Sequence, residues 1–149
     1  MKTVISIILT IILFNSCNAQ KKAMVEIGDK VTDSITFKKG SFIMISPAQL
    51  EVGYTTVIEG IKFTICKDKN NLVKYIETKD NVFITEDSIK IGMSLTEVKK
   101  LTNNELRLER GWAFVMPLPS GWNVAFEFSK DDFNKISPDS TIKWIFKRK

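Results

Sequence analysis

Cys17 and Cys66 are the only cysteines of this chain, and histidine is absent altogether. Cys17 ends the run Leu13-Phe14-Asn15-Ser16-Cys17, behind the mostly apolar stretch Val4 to Phe14 and the single basic Lys2. That apolar stretch is too short to cross a bilayer, which takes roughly 20 residues, and it suits a secretory signal. A small Ser just ahead of a Cys has the form of a relaxed lipobox, so Cys17 is expected to become the lipidated first residue. Residues 1–16 are then a signal peptide of the lipoprotein type and 17–26 a lipidated tether. Ordinary cleavage after Cys17-Asn18-Ala19, giving a secreted chain, is the competing reading, and an uncleaved anchor is a third.

Several acyl chains on Cys17, each buried CH₂ contributing about 0.8 kcal/mol, would hold the protein on a membrane without help from its folded part. Asn18 is not an acidic retention signal. The expected address is the cell envelope, at an outer membrane facing the periplasm.

The missing histidine excludes Ser-His-Asp and Cys-His catalysis in their usual forms, and histidine-ligated zinc. With Cys17 spent on lipid, Cys66 cannot form an internal disulfide, and it is expected on the polar side of its strand as an inert, half-buried thiol. Asp131, Asp132, Asn134 and Asp139 carry oxygen ligands but lack the spacing and central Gly of a calcium loop. They read as a solvated turn, and Glu86-Asp87 as a cap or solvated linker. No cofactor or metal is expected. Paired carboxylates of a hydrolase form in space and leave no trace in spacing, so a carboxylate-based hydrolase stays as an alternative, beside a periplasmic small-ligand binder with an apolar cavity between two sheets. The excess charge of +5 is mild and dispersed. Lys147-Arg148-Lys149 reads as a solvated end, and no nucleic-acid partner is expected.

The elements that position these groups follow from periodicity. Apolar residues make up 44% of the chain, enough for one core. Residues 27–149 read as a single α+β domain with mostly antiparallel strands, built as two similar units, 27–79 and 89–149. Ser94 and Glu97 have capping-box spacing, with Leu95, Val98 and Leu101 on one helix face. Strands are expected over Ser41–Ile45, over Thr55–Ile58 and Ile61–Cys66 (two strands, or one bent at Gly60), and over Leu72–Glu77. In the second unit they are expected over Trp112–Met116, Trp122–Phe128 and Thr141–Phe146. Ile27-Gly28-Asp29 answers Ile91-Gly92-Met93, Phe42 answers Phe114, Phe63 answers Phe126, and Val73–Ile76 answers Ile142–Ile145. Each unit is thus expected to be a turn or short helix plus a three-stranded meander, the two forming a tandem pseudo-repeat. Lys30–Phe37, rich in β-branched residues, is a poor helix candidate.

Ile91-Gly92-Met93-Ser94-x-x-Glu97-Val98, followed by the Trp112 strand, resembles the signature of small outer-membrane lipoproteins of the BamE (SmpA/OmlA) type. It is also similar to the β-lactamase inhibitor protein fold, a tandem of such helix-plus-sheet units. The likeness covers Ile89 to Phe128 and departs after Leu101, where Thr102-Asn103-Asn104 replaces the family's Leu-Gly-x-Pro. It implies a lipid-anchored module that binds other proteins, without catalysis. Trp112, Phe114, Trp122, Phe126 and Phe128 lie on two strands that the hairpin pairs and read first as a core face, with Trp122 structural. The candidate partner surface, if one Trp stays accessible beside the rigid hairpin, is Trp112, Trp122, Pro117 and Pro119.

Overall fold

Among the described residues, eight strands in one antiparallel sheet make up almost all of the regular structure. The computed structural model describes residues 25–31, 37–128 and 133–149. The strands are β1 (Lys38–Ser46), β2 (Gln49–Ile58), β3 (Ile61–Lys67), β4 (Val73–Thr78), β5 (Arg107–Glu109), β6 (Ala113–Pro117), β7 (Asn123–Phe126) and β8 (Ile142–Arg148). Their order across the sheet is β1-β2-β3-β4-β8-β7-β6-β5. The one helix among the described residues is α1 (Leu95–Leu101), seven residues long.

This overturns the expected α+β class, and with it the helix-plus-sheet unit implied by the family resemblance: the fold is mostly β. The capping box is present, with Ser94 Oγ accepting from Glu97 N and Glu97 Oε2 accepting from Ser94 N at 2.7 Å. It starts only two turns of helix. Leu95 and Val98 are buried, Leu101 is 51% exposed, and the chain turns extended at Thr102. Of the other helix candidate, residues 32–36 lie outside the described residues.

Each half holds four consecutive strands rather than three. Of the two readings of Thr55–Ile58 and Ile61–Cys66, the structure has two strands joined in a hairpin at Gly60. Glu59 and Gly60 both take positive φ, +50° and +82°, the two-residue turn whose twist matches its strands. The first strand of the second half, β5, is only three residues long and shows no periodicity.

The halves meet where β4 pairs with β8: Ile76 opposite Lys147, Glu77 opposite Phe146, Thr78 opposite Ile145. Around this seam their backbone bonds match. Gly28 N donates to Val73 O (2.8 Å) and Val73 N to Asp29 O (2.9 Å). In the second half, Gly92 N donates to Ile142 O (3.1 Å) and Ile142 N to Met93 O (2.9 Å). The register also revises two of the expected correspondences. Ile76 pairs with Ile65 and Ile145 with Val124, so Phe63 answers Trp122, not Phe126. Counting strands from the seam, β2 answers β6, so Phe42 has no counterpart in Phe114.

Both faces of the sheet are covered. The larger core joins Phe63, Ile65, Val73, Ile76, Trp122, Val124, Phe126 and Ile145 to α1 and to Val25, Phe83 and Ile89 from the flanking segments. The smaller gathers Ile45, Cys66, Tyr75, Ala113, Val115, Ala125 and Phe146. Ile45 on β1 and Val115 on β6 are six strands apart, about 29 Å in a flat sheet at 4.8 Å per strand. The sheet therefore curls, bringing its two edges together over the smaller core. Cys66, Ala113 and Ala125 are small enough to line the concave side.

Candidate functional site

The concave face holds the chain's buried ionisable groups. Tyr75 and Glu77 alternate along β4, so both point into it, and Tyr75 OH donates to Glu77 Oε2 at 2.7 Å. Glu77 is 7% exposed. Burial holds its carboxyl above the usual carboxylate range, offset in part by the Tyr75 hydroxyl and the Lys79 charge. Burial and the neighbouring Glu77 push the Tyr75 phenol upward. Cys66 is fully buried beside Tyr75, and burial raises its thiol to about 12, with Glu51 and Glu77 adding to the effect. The expectation of a half-buried Cys66 fails because the side of β3 taken as polar faces this second core.

The rim is built from paired charges and tryptophans. Glu51 on β2 accepts from Lys74 Nζ at 2.5 Å, which lowers the Glu51 pKa. Arg148 donates to Glu109 from both terminal nitrogens and lies 5.1 Å over the Trp112 ring. Trp112 closes the curl, its indole Nε1 donating to Met44 O at 3.0 Å. Its ring meets Trp144 edge-on at 5.7 Å and Phe146 at 5.1 Å. Trp112 and Trp144 are both partly buried against the smaller core, neither fully enclosed. The Trp144 Nε1 is buried without a hydrogen-bond partner.

The expected site residues are thus dispersed. Cys17 lies outside the described residues, as do the signal segment, Asp131 and Asp132. Trp112 is at the concave rim. Trp122 is 2% exposed in the larger core, against Phe83 at 4.9 Å and beneath Lys147 Nζ at 4.7 Å, and offers no surface. Pro117 ends β6, its carbonyl accepting from Asn104 Nδ2 at 2.7 Å, and Pro119 is exposed at the hairpin tip. Asp87, expected in a solvated linker, accepts from Ser120 N and Oγ and ties the linker to that hairpin. Among the described residues no three acidic or thiol side chains converge as metal ligands.

The expected solvated end, Lys147 to Lys149, is instead largely built in. β8 runs to Arg148, and Lys147 pairs with Glu26 at 3.0 Å. The alternation of Trp144, Phe146 and Arg148 onto one face was the available signal for this rim.

A crystal structure of the uncharacterized protein YfeY from Escherichia coli has a similar fold. The TM-score is 0.54 at 11% identity, covering 84% of this chain and 97% of that one. At that identity the likeness concerns the fold alone. No family model and no curated protein matches the chain.

Proposed function

We propose that the protein is a non-enzymatic, lipid-anchored module of the cell envelope, held on Cys17 at the periplasmic face of the outer membrane, that binds a protein partner at the Trp112 rim. The observation that carries this reading is the partly accessible Trp112–Trp144 pair where the two sheet edges meet. Trp and Arg dominate the energetics of interfaces. Here Arg148 stacks on Trp112, and the exposed Arg110 flanks it on the β5–β6 turn. The carboxylates of this face support binding over hydrolysis. Glu51 is taken by Lys74, Glu77 by Tyr75 and Glu109 by Arg148, so no two are poised as acid and nucleophile. The two sheets that a ligand cavity would separate are a single sheet with both faces filled.

The test is crosslinking and pull-down of the acylated protein from envelope membranes. Arg110→Glu changes an exposed side chain beside Trp112 and should leave the melting temperature unchanged while removing the crosslinked partner. A partner retained by Arg110→Glu and by Trp112→Phe would place binding elsewhere. An N-terminus beginning unmodified at Gln20 would overturn the anchor.

A further inference from the structure

The β1–β2 hairpin exposes apolar side chains that no core claims. Phe42 is 70% exposed, Leu50 61% and Met44 37%. The register places Phe42 opposite Val52 and Met44 opposite Leu50, so all four share one face of the hairpin. Ile43 and Ile45 point the other way, into the concave core. The patch is therefore on the side of the sheet that carries the larger core, facing away from the Trp112 rim.

Two further placements tell what covers it. First, Tyr54 pairs with Ile65, so Leu50 reaches past Lys67, the last residue of β3. The hairpin tip overhangs the β3–β4 turn. Second, the incoming chain runs along that same end. Gly28 N bonds Val73 O at the start of β4, and Lys30 bridges Leu72. Val25, Ile27 and Val31 pack on the larger core, the one that Tyr54 also joins. The first described residue, Val25, thus lies on the face that carries the apolar patch. Val25 is eight chain steps beyond Cys17, and at 3.3–3.6 Å each they reach at most about 29 Å. Lys38 and Lys39 are exposed on the same strand as Phe42, Lys69 and Lys30 are exposed at the β3–β4 end, and Lys21 and Lys22 lie in the tether.

We infer that the β1–β2 hairpin is a bilayer-contacting surface: Phe42, Met44 and Leu50 enter the acyl–headgroup boundary while the neighbouring lysines meet anionic headgroups. This rests on the anchor at Cys17, which holds the body close to the membrane. It orients the body with the hairpin on the lipid.

The acylated protein is reconstituted into phosphatidylethanolamine–phosphatidylglycerol vesicles carrying a lipid with a photoactivatable acyl chain. Labelled peptides are mapped by mass spectrometry. The expected result is labelling of the peptides holding Phe42 and Leu50. In the Phe42→Ser/Leu50→Ser variant it falls roughly tenfold, since each exchange removes apolar area from the lipid contact, with no change in melting temperature. Labelling confined to the N-terminal peptide, labelling spread evenly over the body, or a hairpin that crosslinks to protein or to a second copy instead would each overturn the inference. The mass of the N-terminal peptide reports acylation separately. An unacylated Cys17 would strike the anchor, while labelling of the hairpin in the same sample still decides the hairpin.

Discussion

Glu77 faces Phe146 directly across the β4–β8 seam, and the bonds on either side of this pair repeat in reverse order. Matching Val73–Ile76 to Ile142–Ile145 makes Glu77 and Phe146 counterparts of each other, so a local twofold relation passes between them. One half places a carboxyl at that point and the other a phenyl ring. Both project into the concave core, where the phenyl ring stacks on Tyr75 at 5.7 Å. The carboxyl is the costlier occupant, because its charge must be desolvated.

That cost has a pH signature. Glu77 titrates above the usual carboxylate range when folded, chiefly through burial. Folding therefore takes up protons in the window between the unfolded and folded values. The favourable contribution is complete below the unfolded carboxyl's pKa and is lost as pH rises through the folded one. Glu77→Gln keeps an acceptor for Tyr75 and has no charge to bury. Urea midpoints measured from acid to neutral pH should rise for the variant relative to the parent as pH increases. A constant difference across that range would mean that Glu77 does not titrate there.

Cys66 should be silent in the folded protein. It is fully buried and its thiol is raised to about 12, so thiolate and access are both lacking near neutral pH. Alkylation by iodoacetamide should be limited by global opening and should accelerate with denaturant in step with the unfolding curve. Fast native-state labelling would show that β3 opens locally.

Trp122→Ala should be among the most damaging single changes. The side chain is 2% exposed and packs against Phe83 beneath Lys147. Truncating a buried Trp costs about 3–5 kcal/mol, set against a total of roughly 5–15 for a domain. The melting temperature should drop steeply, with no partner loss beyond that explained by unfolding. A variant that melts like the parent would refute the packing described.

The sequence disclosed what is periodic or stereochemically specific. The alternation from Trp122 through Val124 to Phe126 gave β7, Ser94 and Glu97 gave the cap, and Gly28 and Gly92 marked matching turns. It hid whatever depends on coverage from afar. Tyr75, Ile76, Glu77 and Thr78 are all buried, so β4 shows no polar face, and Cys66 looked half-exposed for the same reason. β5 is too short for any pattern, and β2 was cut short because Gly53 breaks its apolar run. That Gly packs closely: an added Cβ would sit 2.9 Å from Thr64 Cγ2. The Trp112 rim was visible only as composition, since its meeting with Met44 needs the whole sheet to curl.

The matching turns supply the last prediction. Gly28 and Gly92 hold φ of +92° and +87°, and a Cβ at either would meet nothing within 4 Å. Alanine there is penalised by the backbone alone, about 1–2 kcal/mol for an L residue in the left-handed region. Gly28→Ala and Gly92→Ala should thus lose similar stability. The two sites share no partner, so their losses should add to within about 0.5 kcal/mol in the double variant. Urea melts of the three variants read this directly. If Gly92→Ala costs this much and Gly28→Ala costs nothing, the turn of the first half is not held on β4 in solution.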